Sequence, residues 1–400
     1  MAEHPIIVFM ALLIFGYGLF SKKAENSIIT APMIFVVIGL LVSFFSLELL
    51  EEGPKAYFVK PLMEFTLLLV LFIDGSTIDL KTLTKEKALP IRLLGIGLPI
   101  TMVLGALLAI PLFPEVKPLI LILMAFILSP TDAALGQAVV TGEQVPKRIR
   151  QTINVESGLN DGIGLPPILV CIALLSGSAG DGFDSNYWLG FVAKQFIYGP
   201  VIGGLVGWLG GILVERASKA GLMNHIFQML ASVAIAVLAY SFAEYFHGNG
   251  FIAAYMAGLF LGTSTELIRG RMKEFGEAGS QIMILFIFLL FGMILVPISY
   301  PFWDWRALVY ALLSLTVIRM LPVALSLIGT GLNMKTVWFI GWFGPRGIAS
   351  VLYLLMAIIA LGSEGYERMV SVITLTVMLS IFLHGVSAVP LSKIFKKSEG

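Results

Sequence analysis

Apolar runs of about 17 to 25 residues, each closed by a charged or Gly/Pro turn, recur along the whole chain, and that length matches the bilayer core. They predict thirteen spans, at roughly 5–20, 28–47, 56–73, 90–112, 117–140, 149–175, 187–214, 225–245, 250–265, 279–298, 304–328, 335–361 and 367–390. Spans one, three and nine are short. Two runs are interrupted, span five at Ser129-Pro130-Thr131-Asp132 and span twelve at Gly344-Pro345-Arg346-Gly347. Proline removes a backbone donor and disfavours helix at the residue before it, so both helices are expected to break near mid-membrane. Irregular backbone at that depth is tolerated only where it is buried or lines water. Thirteen spans divide as six, one linking helix and six, which turns the second half upside down relative to the first. The fold class predicted is therefore an all-α polytopic membrane protein with an inverted repeat and two broken, crossing helices, an arrangement found in transporters.

Composition narrows the class without changing it. With 58% hydrophobic and only 13% charged residues, the 400-residue chain is not a water-soluble globule. A net charge of +1, with no basic tract beyond Lys393, Lys396 and Lys397, gives no reason to expect a nucleic-acid partner. Cys171 is the only cysteine, which excludes an intrachain disulfide. The segment from Ile6 to Phe20 lacks a basic leader and an A-x-A site, and it reads as a retained helix. Most of the 26 lysines and arginines fall in the connections after odd-numbered spans and in the C-terminal tail. Cytoplasmic loops hold such an excess, so the N-terminus is placed outside and the C-terminus inside the cell (inner) membrane.

Charges inside the apolar runs carry the chemistry. Asp132 lies in F-I-L-S-P-T-D-A-A-L-G, and span six holds Glu156, Ser157, Asn160 and Asp161 in N-V-E-S-G-L-N-D-G. A charged side chain at bilayer depth costs at least ~2.5 kcal/mol, so such acids mark ion or proton paths. Ser157 and Asp161 are spaced i to i+4, as are Glu156 and Asn160, which lines two adjacent helical stripes with oxygen. Thr131 and Asp132 stand at the break, where backbone carbonyls are also free, and together these groups are the hard oxygen donors that alkali cations take. Asp161 is the acid expected to couple the proton: burial favours its protonated form and a bound cation its ionised form. One carboxylate discharged per cation predicts one-for-one, electroneutral exchange, whereas the plainer account makes Asp161 a helix-to-helix tie. Arg319, in V-I-R-M-L-P of span eleven, has the charge to pair with Glu156, a structural role. At the breaks, Asp132 and Arg346 have the signs needed to neutralise the facing helix dipoles, against the alternative that Pro130 and Pro345 simply kink packed helices. The four histidines, His4, His225, His247 and His384, are read at span ends without metal-ligand spacing and are expected to be surface or interfacial residues, not ligands. Asp74 and Asp79 at the end of span three form either a cation-attracting funnel or ordinary solvated helix-end charges.

Four strings, S-P-T-D-A-A (129–134), V-E-S-G-L-N-D-G (155–162), H-G-N-G-F-I-A-A-Y-M-A-G (247–258) and G-P-R-G-I-A-S (344–350), resemble those of the monovalent cation/proton antiporters, specifically the electroneutral sodium/proton exchangers of the NhaP type. They lie in order over about 220 residues, each on its expected span. The resemblance implies a scaffold that dimerises, at 1–89 and 181–300, and a moving core bundle at 90–180 and 301–392, with a short tail at 393–400. It implies that Thr131, Asp132, Ser157 and Asp161 approach a sodium ion, that Asn160 and Asp161 form the Asn-Asp pair of the electroneutral branch, and that Glu156 pairs with Arg319. Electrogenic relatives carry Asp-Asp and a lysine at the corresponding places. The resemblance further implies exchange of Na+, with Li+, for H+, no cofactor, and a homodimer in the lipid bilayer. The chain ends about ten residues after the last span, so no cytoplasmic regulatory domain is expected.

A K+/H+ exchanger is the nearest rival, because ligand type does not fix cation radius. An intramembrane aspartyl protease using Asp132 and Asp161 is a remote one, since Leu159-Asn160-Asp161 stands where Gly-x-Gly-Asp is needed. A channel would show sustained current, and a sensor would show no flux. An enzyme is not expected.

Overall fold

The computed structural model describes residues 3–25, 27–45, 56–77, 88–132, 144–177, 185–261 and 281–395, with 135, 139, 270 and 279 as isolated residues. The second half of predicted span five, Asp79 and the end of the tail lie outside them. Among the described residues every regular element is a helix. In chain order these are α1 (Glu3–Glu25), α2 (Ala31–Phe45), α3 (Ala56–Thr77), α4 (Ala88–Leu112), α5 (Pro118–Ile127), α6 (Lys147–Leu175) and α7 (Ser185–Lys219). There follow α8 (His225–Tyr245), α9 (Gly250–Leu261), α10 (Gln281–Phe302), α11 (Trp305–Ser326), α12 (Met334–Trp342), α13 (Ile348–Leu361) and α14 (Glu367–Ser392). Seven of them, in α4, α6, α7, α8, α10, α11 and α14, are long and apolar enough to cross a membrane, and shorter apolar helices accompany them.

The chain forms two compact units, one of Met1–Val59, Ala88–Ser157 and Ile282–Gly400, the other of Lys60–Lys87 and Gly158–Gln281. Helix α6 contributes its first part to one unit and the remainder to the other.

In the second unit, small residues let backbones touch. A Cβ at Gly203 or Gly207 of α7 would run into the backbone of Ala253 or Ala257 of α9, so Gly-x-x-x-Gly lies directly on Ala-x-x-x-Ala. Membrane helices associate this way because lipid offers no hydrophobic drive to bring them together. On α7, Ile197, Val201, Leu205, Leu209 and Leu213 recur every four residues and are all exposed. A continuous apolar face of this kind belongs against lipid or another protein surface, not water.

In the first unit, an apolar cluster of Leu89, Leu93, Ile149, Ile153, Val323, Leu327, Ile340 and Phe343 joins α4, α6, α11 and α12. Three departures from regular helix were not foreseen. Leu93–Gly97 of α4 and Phe291–Leu295 of α10 are π-helical turns, and α11 is interrupted at Thr316, whose φ and ψ of −113° and −93° are not helical. In contrast, α6 runs unbroken through Pro166 and Pro167. One polar rim closes this unit: Asp304 caps α11 by accepting from Ala307 N–H at 2.8 Å and receives Arg368 at 3.0 Å.

Candidate functional site

The two interrupted segments are built into each other. Helix α5 stops at Ile127 ahead of Pro130, and α12 stops at Trp342, with five residues between it and the start of α13 at Ile348. Each stop strands backbone groups that no helix of its own can satisfy. Arg346, fully buried, answers one set: its Nη1 donates to the carbonyls of Ser129 at 3.0 Å, Pro130 at 3.3 Å and Gly344 at 3.4 Å. Asp132 answers the other, with Oδ2 accepting from Ile348 N–H at 2.8 Å and its own N–H donating to Pro345 O at 2.8 Å. The carboxylate thus lies at the positive end of α13 and the guanidinium at the negative ends of α5 and α12, the favourable sense for each dipole. Ser350 Oγ completes the tie by donating to Ile127 O at 2.9 Å.

Two glycines make the approach possible. A Cβ on Gly344 would collide with the Arg319 guanidinium, and one on Gly347 with the Asp132 carboxylate. The string Gly-Pro-Arg-Gly is therefore dictated by space as much as by charge.

Helix α6 brings the remaining groups. Glu156 and Arg319, each 2% exposed, form a two-pronged ion pair with Nη1 to Oε1 at 2.6 Å and Nη2 to Oε2 at 2.8 Å. Ser157 Oγ donates to the Thr131 carbonyl at 2.7 Å, which fixes α6 to the first break. Thr131, Asp132 and Ser157 are all buried. One turn further along α6, in the part belonging to the second unit, Asn160 and Asp161 are buried as well. Asp74, near the end of α3, is half-buried.

His384 corrects the expectation that the histidines lie at surfaces. It is fully buried within α14, stacked on Trp342, with Nε2 2.9 Å from the Trp342 carbonyl and Nδ1 3.2 Å from Ser380 Oγ. Ser380 Oγ in turn accepts from Arg346 N–H at 2.7 Å. With Nε2 protonated, a single chain of hydrogen bonds runs from the end of α12 through His384 and Ser380 to Arg346. Ser380 carries no expectation from the sequence, and His384 only that of a surface residue. The available signal was Ser380 and His384 at i and i+4 well inside an apolar run, a spacing that pairs a hydroxyl with an imidazole on one face.

Comparison with known proteins places this architecture. Residues 9–394 match the family model described as the transmembrane sodium/hydrogen exchanger. A protein from Shewanella oneidensis named K(+)/H(+) antiporter NhaP2 is 25% identical over 396 residues, covering 96% of this chain and 66% of its own length. A Na(+)/H(+) antiporter from Schizosaccharomyces pombe is 26% identical over 311 residues, covering 70% of this chain and 65% of its own. This chain thus spans just under two thirds of the length of these curated relatives. Among solved structures, the sodium proton antiporter MjNhaP1 from Methanocaldococcus jannaschii superposes with a TM-score of 0.76 at 18% identity, over 98% of this chain and 99% of that one. The fold is that of MjNhaP1, and the chain belongs to the transmembrane sodium/hydrogen exchanger family.

Proposed function

We propose that this protein is a secondary antiporter that exchanges a monovalent cation, sodium with lithium as a congener, for a proton in one-for-one stoichiometry. Membership of the exchanger family supports the activity, and the observation that carries the mechanism is the buried carboxylate of Asp161 inside α6. At that depth a bare carboxylate is costly, so it holds either a proton or a cation. Alternating access then turns the competition into exchange. Ser157, one turn away on the same helix, supplies a hydroxyl oxygen, and its bond to the Thr131 carbonyl supports a role for the first break in shaping the cation's surroundings. Asp132 and Asn160 complete the proposed ligand and coupling set. Arg346 and the Glu156–Arg319 pair are assigned to scaffolding, because their hydrogen bonds go to protein groups.

The partition into a moving core and a dimerising scaffold, the homodimer itself, and an outside N-terminus with a cytoplasmic C-terminus belong to the same proposal. The second reading, potassium in place of sodium, is favoured by the name of the Shewanella relative. Reconstituted vesicles with a trapped pH dye, challenged in turn with sodium, lithium and potassium, separate the two. Asp161→Asn is expected to abolish exchange for every cation in a protein that remains folded. Full transport by that variant would end the assignment.

A further inference from the structure

Tyr255 is a buried polar side chain that the mechanism above does not use. It lies in α9, is 5% exposed, and its Oη has no hydrogen-bond partner among the described residues. Leaving a buried hydroxyl unsatisfied costs about 1–3 kcal/mol, and phenylalanine would fill the same space without that cost. A tyrosine here therefore points to something that the hydroxyl binds.

Its neighbours within the second unit indicate what that is. Asp74 on α3 and Asp161 on α6 are each followed by glycine, and both glycines abut Tyr255. A Cβ on Gly162 would stand 2.9 Å from Cε1 of the ring and 3.1 Å from Cζ, the atom that bears the hydroxyl. A Cβ on Gly75 would collide with the Tyr255 carbonyl. The absence of side chains at these two positions is what lets α3 and α6 press against Tyr255. Asp74 and Asp161 are also the two charges that act on its hydroxyl.

We infer that the Tyr255 hydroxyl is a neutral oxygen ligand of the exchange site, acting between Asp74 and Asp161 to hold the bound monovalent cation. This rests on Asp161 being the exchanging acid. Two carboxylates near one another repel when both are ionised, and a neutral group that can either donate or accept relieves this without adding charge. With the cation bound, a phenolic lone pair faces it. With the cation gone, the O–H donates to whichever carboxylate is ionised. The phenol keeps its own proton throughout, as its reference pKa of about 10 favours, so the proton-to-cation ratio is unchanged.

The test is Tyr255→Phe, purified and reconstituted beside the wild type and Asp161→Asn. Loss of one hydrogen bond to a charged group corresponds to about tenfold in affinity. The apparent KM for the transported cation is therefore expected to rise about tenfold with kcat within about twofold. The cation concentration that stabilises the protein against heat should rise in parallel, a readout independent of flux. A wild-type KM in Tyr255→Phe, with Asp161→Asn inactive, would overturn the role of Tyr255 alone. Retained transport by Asp161→Asn would instead overturn the reading on which it rests. In an Asp74→Asn background, the Phe substitution is expected to raise KM less than in the wild type. Full additivity of the two changes would refute a shared site.

Discussion

Glu156 and Arg319 illustrate how a single buried pair behaves. Their two hydrogen bonds satisfy both carboxylate oxygens and two guanidinium nitrogens, while Arg319 Nε has no partner among the described residues. Burying both ions cancels much of what their attraction gains, so the pair adds little net stability, but removing one member strands the other. Arg319→Ala is accordingly expected to cost about 3–5 kcal/mol, seen as a large fall in melting temperature in detergent. The double variant Glu156→Leu/Arg319→Met replaces both ions with apolar groups and should recover most of that loss. A double variant as unstable as Arg319→Ala would show that the pair stabilises beyond mutual neutralisation. His384 belongs at this scale too. His384→Leu removes one hydrogen bond each from the Trp342 carbonyl and Ser380 Oγ, which keep Gly344 N–H and Arg346 N–H as partners, and a loss of about 1 kcal/mol is expected by the same thermal measurement.

At the level of the helix, the interrupted segments are where sequence and structure speak most directly to each other. Pro130 and Pro345 announce the two stops, and the opposite charges beside them, Asp132 and Arg346, announce what completes them, since each stop leaves a dipole end of known sign. The crossed wiring, with Arg346 serving α5 and Asp132 serving α13, was not readable because it depends on which segments meet in space. The interruption of α11 at Thr316 has no proline beside it, whereas each π turn is followed two residues on by a proline, Pro99 and Pro297, whose missing N–H leaves a carbonyl within the turn without its helical donor, a local mark of both. Burial of His384 is not legible for a different reason: a histidine within an apolar run looks the same whether its face meets lipid headgroups or another helix. Gly347 offers a sharp test of the crossed geometry. Gly347→Ala places a methyl group against the Asp132 carboxylate, and overpacking of this kind costs about 1–3 kcal/mol. Exchange should fall with it, because Asp132 would be displaced from Ile348 N–H. Gly16→Ala on α1, where nothing lies within 4 Å of the new Cβ, is the control expected to leave both exchange and melting temperature at or slightly above wild type. Equal loss in the two variants would mean that the space at Gly347 is not what matters.

Charge summed over the whole interior bears on stoichiometry. Among the described residues, the buried formal charges are Asp132, Glu156 and Asp161 against Arg319 and Arg346. Glu156 is matched by Arg319, and the two fully buried acids that remain outnumber Arg346 by one, Asp74 being only half-buried and outside this count. An apolar interior disfavours that single residual negative charge, and either one proton or one monovalent cation removes it. On the proposed one-for-one exchange, the loaded protein carries the same charge in both states, so the step that carries cargo across would move no net charge in either direction. Membrane potential does work only on charge that moves, about 2.3 kcal/mol per elementary charge for each 100 mV. Exchange by reconstituted vesicles is therefore expected to proceed at the same initial rate under imposed diffusion potentials of either sign, with the ion gradients held equal. If two protons moved for each cation, the same vesicles would speed up under one polarity and slow under the other. That result would require a second buried acid to discharge, and Asp132, the member of the proposed ligand set that also caps α13, would be the one to do so.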